Sequence, residues 1–300
     1  MTRLRCYMNW LALQGLSPAS PGSHAGDPVA AIHAAGYDGI QFIAPLDLCA
    51  LAHARSLGLG VCGSNRGNTP AEAAPIAQAA ADAGLECLTL HVGWGMESDD
   101  EGVRLIEAVL HAATLHRIPL YVETHRSTLF QDMQRTVQFV ARFPQLRFNG
   151  DFSHWYTGSE MVYGGFENKL AFIQPVLDRV RFVHGRIGNP GCMQVAIALN
   201  DPAPYVAHFR TLWKRSFEAF LRAVPSPTTD PAPQQSFITF TPELLAPDIY
   251  YARTFRGAEE SDRWQQSLLL AQIARSCFTD AEQQCVGNHS MDATEAPNSG

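Results

Sequence analysis

Eight short β-type runs, each followed by a stretch of helical character, restrict the fold of this chain more than any other feature of its sequence. The runs are LRCYMNWLAL (4–13), GYDGIQFIA (36–44), LGVCGSNRG (59–67), LECLTLHVGW (85–94), IPLYVETHRS (118–127), LRFNGDFSHW (146–155), VRFVHGRIG (180–188) and SFITFTPELL (236–245). Most are nearly continuous apolar stretches, the pattern of parallel strands covered on both faces. The segments between them carry helix punctuation. Thr69 and Pro70 supply an N-cap and a first-turn proline, and Gly84 closes that helix. Ser98-Asp99-Asp100-Glu101 is a capping-box sequence, with acids where the helix dipole favours them. Further on, Tyr205, Phe209, Leu212, Trp213, Phe217, Phe220 and Leu221 recur on one helical face, which reads as core against a sheet.

This alternation, repeated over about 250 residues, predicts a (β/α)8 TIM barrel. A doubly wound open sheet is the rival. Its G-x-G-x-x-G turn after the first strand is absent. The expected organisation is one barrel domain over residues 1–279. Residues 223–236, rich in Pro, Ser and Thr, read as a loop before the last strand. Residues 280–300 are polar without periodicity and read as a disordered tail.

Catalytic groups of such a barrel project from the C-terminal ends of its strands. Strand four ends in His91, strand five carries Glu123 and His125, and strand six carries Asp151 and His154. Strand seven carries His184 and Arg186, and strand eight carries Glu243. Three carboxylates gathered at one mouth would repel each other unless a positive group sat among them. The only lysines, Lys169 and Lys214, lie on no strand, and Arg186 alone is too little. A divalent cation is the simplest solution. A set of Glu, Asp, His and Glu is oxygen-rich with one nitrogen, which suits Mn²⁺ first, then Co²⁺, Mg²⁺ or Zn²⁺. The missing strand lysine argues against a Schiff-base aldolase, and no G-x-S-x-G elbow marks a serine hydrolase.

Bulk properties exclude other classes. The net charge of −7 gives no basic footprint for nucleic acid. The seven cysteines are odd in number and contain no C-x-x-C pair, which fits a reducing cytoplasm and excludes an all-cysteine zinc site. No leader pattern opens the chain, and no apolar run reaches the roughly 20 residues that span a bilayer.

The ordered pieces GYDGIQ, LHVG, VETH, GDFSHW, VHGRIG and TPELL resemble the xylose isomerase-like barrel family, from about residue 5 to about residue 278. That family includes sugar isomerases and epimerases, hydroxypyruvate isomerase, inosose and dehydroshikimate dehydratases, and endonuclease IV-type enzymes. The resemblance implies one divalent metal held by Glu123, Asp151, His184 and Glu243. It implies substrate contacts from His154 and Arg186, with His91, His125 and Trp155 as further candidates. Trp10, Trp94 and Trp155 read as stacking faces for a sugar or as rim packing. The activity implied is isomerisation or epimerisation of a small carbohydrate-like substrate through a metal-stabilised enediolate, with Glu123 and Glu243 moving the proton. A dehydratase or lyase on a keto-sugar or cyclitol, and a non-catalytic metal- or carbohydrate-binding barrel, are the alternatives. Pairing into a homodimer is left open. Two departures stand out: position 41 is Gln where the family often has Glu, and no D-x-H follows strand seven, so a trinuclear endonuclease site is not expected.

Overall fold

Eight parallel strands close on themselves in chain order, β1 to β8, so that no edge is left unpaired. They are β1 (Arg3–Asn9), β2 (Gly39–Ile43), β3 (Gly60–Gly67), β4 (Leu88–Val92), β5 (Leu120–Glu123), β6 (Phe148–Gly150), β7 (Val180–His184) and β8 (Phe237–Thr241). β1 pairs with β8 to complete the circle. The computed structural model describes residues 3–223 and 236–292, with side chains through residue 286. Most of the loop expected over 223–236, and the end of the expected tail, lie outside the described residues.

Helices return the chain between strands. They are α1 (Pro28–Ala34), α2 (Leu48–Ser56), α3 (Pro70–Asp82), α4 (Asp99–His116), α5 (Met133–Arg142), the three short pieces α6 (Phe152–Gly158), α7 (Phe166–Phe172) and α8 (Gln174–Leu177), and the long α9 (Pro204–Arg222) and α10 (Arg263–Asp292). The capping box expected at Ser98 with Glu101 forms, and Thr69, expected as an N-cap, forms a second one with Glu72. Phe209, Leu212, Trp213, Phe217 and Phe220 of α9 are buried, as their spacing requires. α10 runs past residue 280 to Asp292, and Ala281 is fully buried, so the boundary expected there falls inside a packed helix.

The strands sort their side chains by the two-residue period of a β-strand. Outward residues such as Met8, Phe42, Leu90, Val122, Val183 and Phe240 join the main core under the helices. Tyr7, Cys62, Cys87, Tyr121 and Phe182 form a separate apolar cluster inside the barrel. Two residues further along the same strands stand Asn9, Ser64, Thr89, Glu123 and His184, all buried and all polar. The barrel interior is therefore a greasy floor with a polar layer above it, at the end where the strands finish. Glycine makes the floor fit: a Cβ at Gly39 would come within 2.5 Å of the Tyr7 ring.

Candidate metal centre

Glu123 ends β5 and His184 ends β7, while Asp151 and Glu243 follow β6 and β8. One ligand atom from each of these four lies within 4.8 Å of the others. Glu123 and Asp151 are fully buried, and His184 and Glu243 are 1% and 8% exposed. His184 Nδ1 sits 3.4 Å from Glu123 Oε1 and 3.4 Å from Glu243 Oε1. The imidazole thus stands between the two carboxylates. Glu123 Oε1 makes no hydrogen bond, although it is buried. An unsatisfied buried carboxylate oxygen is costly, and a cation would satisfy it. The donor set and this orphan atom fit a divalent cation held by Glu123, Asp151, His184 and Glu243.

Asp151 answers to a second role. The strand expected through Asp151 and His154 stops at Gly150, and Asp151 is the N-cap of α6. Its Oδ1 accepts from the Ser153 amide at 3.0 Å and from Ser153 Oγ at 2.6 Å. The carboxylate wins over strand continuation because it pairs orphan donors at the helix start. Its Oδ2 is bound by Arg186 Nη2, which also lies 3.0 Å from Glu243 Oε2. His154 Nε2 is 3.3 Å from the same Asp151 oxygen. Asp151 is therefore held by Arg186, His154 and Ser153 together, whereas Glu123 Oε2 takes Asn149 and His91 and leaves Oε1 without a hydrogen bond.

The ionisation of the cluster follows from these contacts. Burial works against charge on Glu123, but His91 and His184 outweigh it and hold the carboxyl well below its ordinary range. Burial raises Glu243, against the pull of His184 and Arg186. Burial also lowers His184, yet Glu243 and Glu123 overcome that and raise it to about 9. Beside this set stand three imidazoles in a row. The ring centroids of His91 and His125 are 4.2 Å apart, and those of His125 and His154 are 3.7 Å apart. Burial, then His154 and His91, lower His125 to about 2. Burial lowers His154 as well. At neutral pH both are uncharged, with a donor and an acceptor each for hydroxyl groups. His154 Nδ1 has no hydrogen-bond partner. His91, Glu123 and His125 form a second, smaller group of potential metal donors that shares Glu123 with the first.

No protein-family profile and no curated protein sequence matches the chain. Solved structures do. The chain is similar to an L-ribulose 3-epimerase, with a TM-score of 0.57 and 16% identity over 99% of this chain and 100% of that one. A xylose isomerase domain protein from Planctomyces limnophilus gives 0.55 and 17% over 96% and 100%. A xylose isomerase-like TIM barrel protein from Mycobacterium smegmatis, in complex with magnesium, gives 0.53 and 15% over 91% and 97%. The chain shares the (β/α)8 barrel fold of these structures.

In this barrel, two expectations need correction. Trp155 does not line the mouth. It is fully buried, its indole N–H donates to the Phe130 carbonyl at 3.0 Å, and it belongs to the main core, because α6 turns that side of the chain inward. Trp94, by contrast, is half-exposed, with one face over the Arg66 guanidinium at 4.4 Å. Arg186 is not a free hook for substrate. It is fully buried as a counter-ion between Asp151 and Glu243, and its Nε donates to Ser153 Oγ at 3.1 Å. With His184 charged as well, two cations face three carboxylates. The charge deficit read from the sequence shrinks to one, and the case for a metal passes to the geometry around Glu123.

Sequence reasoning missed Tyr251. It stands in the segment between β8 and α10, which has no periodicity to read. Its ring covers the Arg186 guanidinium at 4.6 Å and takes Arg126 at 5.0 Å. Its hydroxyl lies 3.3 Å from His125 Nε2. The ring lies across the polar layer. Tyr251→Ala should therefore let a chelator strip Mn²⁺ from loaded protein several-fold faster, while Tyr251→Phe should keep the wild-type rate. Equal stripping rates for Tyr251→Ala and wild type would show that the ring is no barrier.

Proposed function

We propose that this barrel is a divalent-metal-dependent isomerase or epimerase of a sugar or other small hydroxy-carbonyl compound. The observation that carries the reading is the buried convergence of Glu123, Asp151, His184 and Glu243, with one Glu123 oxygen that makes no hydrogen bond. When bound, the cation supplies Lewis-acid stabilisation of negative charge on a substrate oxygen. Mn²⁺ suits three carboxylates and one imidazole best, with Co²⁺, Mg²⁺ and Zn²⁺ as alternatives. A barrel of the same fold carries the name of a sugar epimerase, and another is described with magnesium, which agrees with both parts of the reading.

The residues of the chain divide the work. Glu123 and Glu243 each bring an oxygen to 3.4 Å from His184 Nδ1, so two carboxyl groups from different strands stand at the place where the substrate would bind. Glu123, kept ionised, accepts the proton α to the carbonyl. Glu243, whose pKa burial raises, carries the proton that is returned. Return to the other face of the same carbon inverts it, and return to the neighbouring carbon isomerises the substrate. His154, with its free Nδ1, and His125 and His91 beside it orient the substrate hydroxyls. The partner is a small carbohydrate-like molecule. No helix among the described residues is long and apolar enough to cross a membrane.

Binding of the cation is measurable before any substrate is known. Mn²⁺ at a hundred times its Kd should stabilise the fold by about 2.7 kcal/mol, a rise of several degrees in Tm that chelator reverses. Identical melting with Mn²⁺, Co²⁺, Mg²⁺, Zn²⁺ and chelator would sink the reading. Solvent-deuterium exchange across a panel of ketoses and keto acids then identifies the substrate.

A further inference from the structure

We propose that Gln41 is a positioning residue that fixes His184 as a neutral donor, with its Nδ1 lone pair turned to the cation and its proton on Nε2. The inference rests on the reading of Glu123, Asp151, His184 and Glu243 as a cation site. It follows from a chain of hydrogen bonds whose polarity is set by a backbone amide. At one end is a backbone amide, which can only donate: Leu11 N–H donates to Asn9 Oδ1 at 2.9 Å. Asn9 must then turn its Nδ2 away, and that group donates to Gln41 Oε1 at 3.2 Å. Gln41 in turn directs its Nε2 to Thr89 Oγ1 at 3.0 Å. The oxygen facing His184 Nε2, 2.9 Å away, is therefore an acceptor, and Nε2 carries the proton.

The other end is a carboxylate, which can only accept. Asn149 Nδ2 donates to Glu123 Oε2 at 2.9 Å, and the same amide nitrogen lies 3.0 Å from His184 Nδ1. Nδ1 also faces Glu123 Oε1 and Glu243 Oε1, 3.4 Å from each, so it is the nitrogen that gives up its proton when a cation takes its place among these carboxylates, while Nε2 keeps its proton on Gln41. Asn9, Gln41, Thr89 and Asn149 are all fully buried, so no solvent competes for these bonds. Metal-bound imidazoles are held in this way by a partner on the far nitrogen, and losing such a partner costs roughly 10- to 100-fold in metal affinity. Gln41 gives that support without a charge. The acid that the sequence lacks at this position would form the same bond and make the imidazole more basic.

The test is Mn²⁺ titration by calorimetry on wild type, Gln41→Met and Gln41→Glu, with ¹H–¹⁵N NMR of the Zn²⁺-loaded wild type. Gln41→Met should weaken Mn²⁺ binding roughly 10- to 100-fold. Gln41→Glu should bind at least as tightly as wild type. The NMR spectrum should show the His184 proton on Nε2. Wild-type affinity in Gln41→Met, or weakened binding in Gln41→Glu, overturns the proposal. A spectrum with Nε2 as the coordinating nitrogen does the same, and it decides the matter even if Gln41→Met fails to fold. Failure of the wild type to bind either Mn²⁺ or Zn²⁺ removes the cation site itself and the proposal with it, whereas binding with an indifferent Gln41→Met removes the proposal alone.

Discussion

Arg186→Met should destabilise the cation-free protein by about 3–5 kcal/mol, the cost of leaving buried charges without their partner, and lower Tm by on the order of 10 °C. The guanidinium is fully buried and contacts Asp151 and Glu243 together. Methionine fills much of its volume but returns none of its charge. The same substitution should strengthen the response to Mn²⁺. Arg186 and a cation at the four-residue cluster draw on the same carboxylates, so removing one favours the other. Thermal melts with chelator and with Mn²⁺ give both numbers. The variant should gain more from Mn²⁺ than wild type does. A variant that melts like wild type in chelator would mean that Asp151 or Glu243 is protonated and needs no counter-ion. Equal Mn²⁺ gains would mean that cation and guanidinium do not compete.

That competition shows what the sequence carried and what it did not. The barrel was legible because its cause is local: each strand announces itself by an apolar run, and each helix by its caps. The polar ends of strands four to eight were legible for the same reason, since the rule that places them concerns one strand at a time. Arg186 was read as one positive charge at the mouth and as a substrate contact, but which carboxylates it pairs with was not legible. Its pairing depends on a contact 35 residues away in the chain with Asp151 and another 57 away around Glu243, which no local pattern encodes. Trp155 was misjudged because DFSHW starts a helix, where side chains advance by about 100° per residue and not by alternation. Gln41 looked like a lost acid, and only its distance to His184 reveals a partner. Tyr251 sits in a connection without any period, so nothing in its neighbourhood could have singled it out.

Glu123→Gln should lower turnover by at least about 10²–10⁴-fold, the usual worth of a placed general base, without unfolding the barrel. Glutamine keeps the shape and the oxygen that accepts from Asn149 but turns an amide nitrogen to the Oε1 position, so Mn²⁺ affinity is measured beside turnover, and the assignment as a base is read from variant fully loaded with Mn²⁺. The two carboxyl groups should fail in different ways, because their surroundings set them apart. His91 and His184 keep Glu123 ionised against the cost of burial, whereas burial keeps Glu243 ready to hold a proton. With the epimer whose α-hydrogen faces Glu123, Glu243→Gln should still exchange that hydrogen with D₂O while forming no product. Glu123→Gln should do neither. The measurement is ¹H NMR of the substrate in D₂O with Mn²⁺ present, following loss of the α-proton signal and growth of the product signals separately. Exchange at the wild-type rate in Glu123→Gln would remove this residue from the proton path. Product formation at the wild-type rate in Glu243→Gln would show that the returned proton comes from elsewhere, and the mouth would then work with one carboxylate and solvent in place of two opposed groups.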